Sequence, residues 1–530
     1  MDKKLEQIVI GLIKAKVKTR PHFINVKRQL SNHQKMASPL NSDLLKVYQK
    51  LLKSKKIKQD ENLQRILRKR EIRTLSGVAV ITVITKPYPC PGKCIYCPGE
   101  KGMPKSYLSN EPAVMRAIGQ KFDPFNQVKI RLQALKNNGH ETDKIELIVL
   151  GGSWSAYSKS YQTKFIKRCF DAMNKKTAKN LDQAQKWNET AAHRCVGLTL
   201  ETRPDMINEK EIKRFRELGC TRIELGVQSI YDDILKLNQR GHNIGQTIKA
   251  TKLLKQAGFK IQYHMMPNLP GSTPARDLKM FKELFSNPDF QPDLLKIYPC
   301  VVTKDSVLYN WYRQGKYKPY SDKQLKSLLI KIKQSLPYYV RVTRLIRDIP
   351  SESIVAGNKI TNLRQLIEHE TRGTKLSCKC IRCREAGHQN SELEAKNLKL
   401  FIKKYQASGG TEYFISFESK NRKTLYAFLR LRLNCHPERS EGSQIYKQLP
   451  ELKDAAIIRE LHTYGQLAPI GSKGKVQHLG LGKNLMAAAE KIVKKNKIKK
   501  IAIIAGIGVR KYYQKIDYQL EGTYMIKNLN

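Results

Sequence analysis

The sequence predicts an α/β fold, in which a parallel (β/α) partial barrel is followed by a smaller α+β domain and preceded by a basic helical region. Three observations support this prediction. Residues 1–75 combine helical periodicity with dense positive charge, strand and helix patterns alternate from residue 76 to about 350, and strands dominate after about 393. A short cysteine-rich segment separates the last two regions. We therefore predict four parts, at 1–75, 76–365, 366–392 and 393–530.

The overall charge indicates a polyanionic partner. The chain of 530 residues carries 99 lysines and arginines against 46 acidic residues, a formal net charge of +53, and such a field attracts nucleic acid. A generally basic proteome would give the same balance without a specific partner. No long apolar run or signal-peptide core is present, which predicts a cytoplasmic protein without a membrane span. Six of the 11 cysteines fall in two clusters, which favours metal binding over disulfides.

The amino-terminal region is predicted to bind RNA through phosphates. Residues 1–75 contain 20 basic and 6 acidic residues, nearly twice the net charge density of the whole chain. Their apolar residues fall on two helix faces, Leu5, Ile8, Val9, Leu12 and Ile13 on one and Leu44, Leu45, Tyr48, Leu51 and Leu52 on the other. Because Phe23 and Tyr48 are the only aromatic residues here, phosphate contacts would dominate over base stacking. A solvated charged face without a partner is the alternative.

A cysteine loop follows the first predicted strand, residues 77–85. Cys90, Cys94 and Cys97 have C-x3-C-x2-C spacing among prolines and glycines. Three thiolates leave one metal position open in a four-ligand site. The spacing resembles that of radical S-adenosylmethionine (SAM) enzymes, which implies a 4Fe-4S cluster whose free iron chelates the amino and carboxylate groups of SAM. A zinc loop with a distant fourth ligand is the alternative.

Further barrel strands are predicted at 144–150, 195–200, 222–227, 260–263 and 294–297, and glycines and polar residues stand where they end. They are Gly151, Gly152, Glu201, Arg203, Gln228 and His264. Because barrel active sites form at the carboxyl ends of strands, we expect these residues to meet the cysteine loop at one mouth. The glycine pair would admit the SAM amino group, and Arg203 would pair with its carboxylate. Glu201, Gln228 and His264 would contact the rest of SAM. Each residue alone could equally be structural, but their joint placement favours a site.

A second cysteine cluster lies in the predicted linker. Cys378, Cys380 and Cys383 have C-x-C-x2-C spacing, and His388 follows closely. Three thiolates and one imidazole could close a structural zinc site that holds two domains together. His369 or a more distant residue would serve equally as the fourth ligand. Surface cysteines without a metal are the alternative.

The carboxyl-terminal region carries another ligand-binding motif. Strands are predicted at 412–417, 424–433, 456–464 and 500–505, with a loop inserted at 434–443. Gln477, Gly480 and Gly482 precede a helix predicted at 483–494, so glycine N–H groups meet a helix amino terminus that suits a pyrophosphate. This Q-x-x-G-x-G pattern is typical of GNAT-type acetyltransferases, which bind acetyl-CoA there. Tyr512 and Tyr513 follow, where that fold places tyrosines beside the thioester. Packing in the core is the alternative for both.

The order of these parts resembles one family, the catalytic subunit of Elongator with its stand-alone archaeal and bacterial relatives. The likeness runs from about residue 70 onward. It rests on the motifs CPGKCIYCPG (90–99), YLSNEPAVMR (107–116), ETRPD (201–205), ELGVQS (224–229), HMMPNLP (264–270), RDIP (347–350), RELH (459–462) and RKYY (510–513). This family combines a radical SAM partial barrel, a cysteine-rich linker and a GNAT domain.

The resemblance implies an enzyme that forms 5-carboxymethyluridine at the wobble position of tRNA, recognised at its anticodon stem-loop, from SAM and acetyl-CoA. A 5′-deoxyadenosyl radical would take hydrogen from the acetyl methyl group, the carbon radical would add to uridine, and hydrolysis of the thioester would leave the carboxymethyl group. Gly480 and Gly482 would bind CoA, and Tyr512 and Tyr513 would orient the thioester. Lys296, at another strand end, would contact the acetyl group or the base.

Three departures from the family pattern stand out. The eukaryotic relatives have a longer gap between their first two cluster cysteines, so this compact loop indicates a stand-alone prokaryotic form that needs no accessory subunits; a homodimer stays open. Asp517 replaces a glycine that is usual in the family, and we expect a modest cost because Asp tolerates left-handed backbone. The insertion at 434–443 could perturb the acetyltransferase sheet.

Two other classes of function stay open from the sequence. A protein lysine acetyltransferase with a structural iron–sulfur barrel would act on basic peptides without SAM or tRNA. Its positive field would, however, repel lysine-rich substrates. A non-catalytic RNA-binding scaffold would bind tRNA after loss of its cysteines, but the cysteine and glycine motifs are intact here.

Overall fold

The amino-terminal unit is a small bundle of four helices. A computed structural model describes residues 2–68, 76–388, 398–434, 443–464 and 480–529 of the chain. The helices are α1 (Asp2–Lys14), α2 (Arg20–His33), α3 (Asn41–Lys53) and α4 (Glu61–Leu67). The two predicted apolar faces pack into a core of their own, in which Phe23 and Tyr48 are buried. Neither ring is free to stack on a base.

Seven parallel strands form the first sheet, in the order in which the chain visits them. They are β1 (Ala79–Ile84), β2 (Lys144–Leu150), β3 (Arg194–Thr202), β4 (Arg222–Gln228), β5 (Lys260–Met265), β6 (Leu294–Ile297) and β7 (Arg341–Arg344). In the described part of the chain β1 and β7 do not pair, so the sheet stays open on one side. The predicted partial barrel is confirmed. Only β7 was not predicted, because Arg-Val-Thr-Arg is short and mostly polar.

Helices surround this sheet, most of them on its outer face. They are α5 (Pro112–Ile118), α6 (Pro124–Asn137), α7 (Lys159–Asn174), α8 (Leu181–Asn188), α9 (Glu209–Glu217), α10 (Asp232–Leu237), α11 (Ile244–Gln256), α12 (Pro274–Ser286), α13 (Val307–Arg313) and α14 (Asp322–Ser335). Ala79, Ile81 and Val83 of β1 are buried with residues of α6. Because strand side chains alternate between faces, Val80 and Thr82 point into the space that the curved sheet encloses, here called the lumen.

The second sheet is mixed. It follows α15 (Leu363–Thr371) and α16 (Ile381–Arg384), and its strands are β8 (Leu398–Ala407), β9 (Gly410–Ser419), β10 (Leu425–Asn434), β11 (Ala455–Thr463), β12 (Lys500–Ile503), β13 (Gln519–Glu521) and β14 (Tyr524–Asn528). Their order is β13-β14-β12-β11-β10-β9-β8. Helices α17 (Ser443–Gln448), α18 (Leu481–Lys495) and α19 (Arg510–Gln514) complete it. The predicted insertion lies outside the described residues, apart from Asn434 and Ser443 at its ends.

One parallel pair interrupts this otherwise antiparallel sheet. Strand β11 pairs with β12 from Ala455 to Ile458, and α18 provides the crossover between them. Beyond Ile458 the two strands no longer pair, so the edge of β11 from Arg459 to Thr463 has no strand partner among the described residues. This separation of the two strands is here called the splay. The other edge of β11 continues to pair with β10 as far as Thr463.

The two sheets share one apolar core, and buried charges cross their interface. Arg459 of β11 binds Asp293, just before β6, through two hydrogen bonds of 2.8 and 2.6 Å, and donates a third, of 3.0 Å, to Glu412. The full set, here called the charge network, comprises Lys255, Asp293, Glu412, Arg430, Arg432 and Arg459, all at most 1% exposed. The second sheet is thereby fixed to the amino-terminal ends of the barrel strands.

None of the helices in the described part of the chain has both the length and the apolar character that a bilayer span requires.

Candidate active site

A cavity of about 480 Å³ lies at the carboxyl ends of the barrel strands. It is lined by all three cysteines of the loop and by the strand-end residues Gly152, Glu201, Arg203, Gln228, His264 and Lys296. These residues therefore lie together at one mouth of the barrel, as predicted. Tyr298, which follows a predicted strand, also lines the cavity, as do Tyr107 and Arg347 from two of the quoted motifs. Arg240 and Arg344 line it too, and no sequence pattern indicated either of them.

The three loop cysteines do not form a site for a single ion. A tetrahedral zinc ion with bonds of about 2.3 Å needs sulfur atoms roughly 3.8 Å apart. Within the described residues, only Cys378, Cys380 and Cys383 bring three such ligand atoms within 4.8 Å of one another. The wider set at Cys90, Cys94 and Cys97 fits a multi-iron cluster, and the cavity leaves room for a further ligand. This geometry disfavours the zinc-loop alternative.

Arg240 is a site residue that the sequence did not indicate. It lies in the loop after α10, and its Nη1 donates a hydrogen bond of 3.4 Å to Cys94 Sγ. Its Nη2 is held by the carbonyl oxygen of Gly226. Burial opposes ionisation of the Cys94 thiol, but the charge and hydrogen bond of Arg240 outweigh it, so the pKa of Cys94 lies below its ordinary value. Arg240 thus favours the thiolate that metal ligation requires.

Arg203 is largely occupied by protein groups. Its Nε donates to Asp205 Oδ1 at 3.0 Å, and its Nη2 donates to the carbonyl oxygen of Arg240 at 2.9 Å. The remaining nitrogen, Nη1, is buried without a hydrogen-bond partner, and a Cβ added to Gly92 would lie only 2.2 Å from it. Gly92 therefore makes room for this nitrogen at the cysteine loop. One donor, rather than a whole guanidinium fork, is left for a ligand.

The predicted glycine pair divides between two roles. Gly151 (φ +127°) does not line the cavity, because it packs on the end of β1, where a Cβ would lie 2.1 Å from Thr85 Oγ1. Gly152 (φ +108°) lines the cavity, and its nearest neighbour would be 3.8 Å away. Only Gly152 is therefore placed to admit a ligand. Gln228 also has positive φ (+69°), and its Oε1 is buried without a partner.

A buried ionic cluster lies deeper in the mouth. Glu224 Oε2 is 2.8 Å from His264 Nε2 and is also bonded to Lys296 Nζ. Burial disfavours both charges, but each offsets the other, so the pKa of Glu224 falls far below its ordinary value and that of Lys296 rises. Lys296 therefore stays an ammonium group, which can donate to a carbonyl oxygen but cannot act as a base. Sequence reasoning did not select Glu224 as a site residue, because it lies in mid-strand.

The second cysteine cluster has the geometry of a mononuclear metal site. Cys380 Sγ and Cys383 Sγ are 3.7 Å apart, close to the separation that tetrahedral zinc imposes. Among the described ligand groups no fourth one joins them, and His369 is exposed on α15. The side chain of His388 lies outside the described residues. The segment contacts both sheets, since Ile381 N donates to the Val340 carbonyl and Glu385 bridges to Leu425.

We expect purified protein to contain one zinc per chain at this cluster. Changing Cys380 and Cys383 together to serine should remove the zinc and lower the melting temperature by roughly 5 °C or more, because the metal would order the segment that contacts both sheets. Elemental analysis and thermal unfolding would check this. Iron content serves as the control and should not change. Equal zinc in the double variant would contradict the assignment.

The glycine motif of the second sheet caps α18. Gly480 has positive φ (+73°) at the helix N-cap, and a Cβ on Gly482 would lie 3.1 Å from the Tyr512 hydroxyl. Gln477 lies outside the described residues. Tyr512 is half-buried at this helix end, whereas Tyr513 is buried and packs against Tyr512 and Tyr518. Tyr512 is therefore the tyrosine placed to meet a ligand there.

Asp517 adopts the left-handed backbone expected of it. Its φ is +69°, a conformation that glycine takes without strain and that Asp tolerates better than most residues. The prediction of a left-handed turn at this departure from the family pattern is confirmed.

Comparison with known proteins agrees with this architecture. The model of the radical SAM superfamily matches residues 88–284, and that of the Radical_SAM C-terminal domain matches residues 292–372. A tRNA uridine(34) acetyltransferase from Methanocaldococcus infernus is 46% identical over 505 residues, which cover 93% of this chain and 92% of that protein. Elongator complex protein 3 from Homo sapiens is 39% identical over 482 residues, with 87% of this chain and 86% of that protein covered.

A solved structure shows the same fold. Elp3 from Methanocaldococcus infernus with an N-terminus deletion (1–46) matches at a TM-score of 0.74 and 43% identity, and the match covers 86% of this chain and 100% of that one. Identity at this level over most of both chains extends from the radical SAM half-barrel through the separate mixed sheet. The chain therefore belongs to the family of the tRNA uridine(34) acetyltransferases and Elongator complex protein 3.

Proposed function

We propose that the protein modifies the wobble uridine of tRNA to 5-carboxymethyluridine, with SAM and acetyl-CoA as co-substrates. One observation carries this proposal: three cysteines, His264 and Lys296 line one cavity, with Glu224 bonded to the latter two, in a chain that also has a glycine-capped helix beside a splayed sheet. The cavity suits SAM bound at an iron–sulfur cluster, and the amino terminus of the glycine-capped helix suits an acyl-CoA.

Cys90, Cys94 and Cys97 would hold the cluster, which supplies the electron that cleaves SAM to a 5′-deoxyadenosyl radical. The residues of this chain would bind and orient SAM and the acetyl group. SAM would be contacted by three groups of the cavity lining: the unpaired Nη1 of Arg203, the backbone of Gly152 and the unpaired Oε1 of Gln228. Lys296, which Glu224 keeps protonated, would donate to the carbonyl oxygen of the acetyl group or the uracil.

In the second sheet, the N–H groups at the start of α18 would bind the CoA pyrophosphate, with Gly480 and Gly482 allowing its close approach. The Tyr512 hydroxyl would lie beside the thioester. We propose zinc at Cys378, Cys380 and Cys383, with the fourth ligand open between His388 and a ligand from elsewhere. The reaction would take place on the tRNA of the cytoplasm.

The direct test is anaerobic incubation of reconstituted protein with bulk tRNA, SAM, acetyl-CoA and dithionite, followed by mass spectrometry. We expect both 5′-deoxyadenosine and carboxymethyluridine, and neither should form when SAM or reductant is omitted. Formation of deoxyadenosine without modified uridine would contradict the assignment of tRNA uridine as the substrate. Acetylation of a lysine peptide in the absence of SAM would favour a protein acetyltransferase. No other protein is present, so product formation also tests whether accessory subunits are dispensable.

We propose that the amino-terminal helices bind the anticodon stem-loop through phosphates. Four exposed lysines lie at and after the end of α3: Lys53, Lys55, Lys56 and Lys58. Changing all four to glutamine should reduce the slope of log K against log salt for tRNA by up to about 3, since each lost phosphate contact removes roughly 0.7. Four exposed lysines at the end of α18, Lys494, Lys495, Lys497 and Lys499, provide a matched control. Equal slopes in both quadruple variants would count against a dedicated helical site.

A further inference from the structure

A column of aromatic rings ends at the protein surface beside the cysteine loop. Tyr88 packs on Tyr157 with ring centroids 4.6 Å apart, and Tyr157 stacks on Tyr161 at 4.9 Å. Tyr161 in turn packs on Phe165 in the apolar core. Tyr88 is 41% exposed, more than any other tyrosine, phenylalanine or tryptophan in the described part of the chain. The last ring of a buried column is thus left facing solvent.

The backbone that carries Tyr88 is held in place. One proline precedes this residue and another follows it, and each proline fixes its own φ and restricts the residue before it to extended conformations. The Tyr157 hydroxyl donates to the Lys86 carbonyl oxygen at 2.7 Å, and Lys86 N donates to the Tyr161 hydroxyl at 3.1 Å. The ring is therefore pre-organised, so little conformational entropy is lost when a flat ligand stacks on it.

The exposed ring lies next to the opening of the cavity. Cys90, two residues after Tyr88, lines the cavity, and so does Ser153, four residues before Tyr157. Cys90 Sγ is 3.8 Å from Ser153 Oγ, so the cysteine loop and the segment after β2 meet at this point. Tyr88 itself is not among the lining residues. It is thus placed to contact a part of the substrate that stays outside the cavity.

The surface around the ring is basic. Residues 85–93 and 152–164, which carry Tyr88 and the two rings beneath it, contain no acidic residue and four exposed lysines: Lys86, Lys93, Lys159 and Lys164. An exposed aromatic ring among lysines is the combination with which proteins bind unpaired nucleotides, through base stacking and phosphate contacts. A basic peptide would be repelled from the same surface. The charge therefore favours RNA as the occupant.

We propose that Tyr88 is a stacking platform for one unpaired base of the anticodon loop other than the target uridine. This inference rests on the proposed function and names a positioning residue for its RNA substrate. A base that enters the cavity must leave the stack of its neighbours, which costs free energy. Stacking of another loop base on Tyr88 replaces part of that loss and holds the loop at the mouth. The amino-terminal helices do not offer such a ring, because Phe23 and Tyr48 are buried in their own core.

A double-mutant cycle between protein and RNA tests the platform. Tyr88→Leu keeps an apolar side chain without the flat ring, and it should weaken binding of an anticodon stem-loop to the reconstituted protein by roughly fivefold or more, the value of one stacked base. Tyr88→Phe keeps the ring and should restore the affinity. Each other loop nucleotide is then made abasic in turn. We expect one position at which the loss matches that of Tyr88→Leu and the two losses do not add. Additive losses at every position would overturn the proposal.

Two controls separate stacking from charge and from the reaction. Lys159→Gln removes an exposed cation near the ring, so it should weaken intact and abasic stem-loops by the same factor and reduce the salt dependence. Binding is measured without SAM or acetyl-CoA, so coupling in a protein that makes no carboxymethyluridine would support the platform and reject the proposed reaction. Tyr88→Leu should leave SAM affinity unchanged. A loss of SAM affinity without coupling to any loop base would assign the ring to the adenine of SAM and overturn the proposal.

Discussion

Replacing Cys94 with alanine is expected to abolish carboxymethyluridine and 5′-deoxyadenosine formation, a loss of at least about 100-fold. Cys94 is 7% exposed and is the loop cysteine that Arg240 contacts, so its loss removes one of three ligands and strands a buried cation. Iron content, the visible absorption of the reconstituted protein and both products by mass spectrometry would check this.

A matched variant separates loss of a ligand from loss of a thiol. Cys169 lies on α7, is fully buried in the apolar core and belongs to neither cysteine cluster. Cys169→Ala should cost about 1 kcal/mol of stability but retain iron and product formation. Full activity of Cys94→Ala would show that the loop holds no cluster and would remove the basis of the proposed chemistry.

Asp293→Asn is expected to cause the largest loss of stability among single substitutions at the interface, about 3–5 kcal/mol. The carboxylate is fully buried and binds Arg459 by two hydrogen bonds, with Arg430 and Lys255 also close. These cations hold the pKa of Asp293 far below its ordinary value despite burial. The stability it provides should therefore be complete at neutral pH and should fall only as pH drops below about 4. Urea and thermal unfolding at several pH values would measure it.

Lys255 provides the matched control within the same charge network. Its Nζ has no hydrogen bond and only long ion pairs of 3.9 and 3.8 Å. Burial lowers its pKa to about 8, so the unfolded chain binds the extra proton between pH 8 and 10.5 and stability from this group rises with pH there. Lys255→Met should leave the free energy of unfolding unchanged or raise it, and should abolish its increase with pH in that range. Comparable destabilisation by both variants would mean that the long ion pairs of Lys255 also stabilise the fold, and would contradict this assignment.

Local patterns were enough to predict most of the strands, but not β7 of the first sheet or β8, β13 and β14 of the second. The β-branched run of β2 was predicted at its observed bounds, and the rule that barrel sites form at strand ends brought Glu201, Gln228 and His264 to one cavity. The left-handed turn at Asp517 followed from the tolerance of that residue type.

What the sequence did not reveal depends on pairing between distant segments. Glu224 became a site residue only because register places it opposite Gln262, beside the strand of Lys296. Arg240 lies in a loop with no pattern, and its contact with Cys94 spans 146 positions. Likewise, the Arg240 carbonyl oxygen that accepts from Arg203 Nη2 is 37 positions away. Periodicity does not encode such partners.

The contact between Asp293 and Arg459 has a consequence for synthesis of the chain. The two residues are 166 positions apart, and a ribosome adding about 5–20 residues per second needs roughly 8–33 s to travel that distance. During this time the second sheet does not yet cover the floor of the nascent barrel, and Lys255 is the one cation of the charge network that has been translated to balance the Asp293 carboxylate. The two halves are thus not interchangeable modules: the first matures only when the last third of the polypeptide emerges.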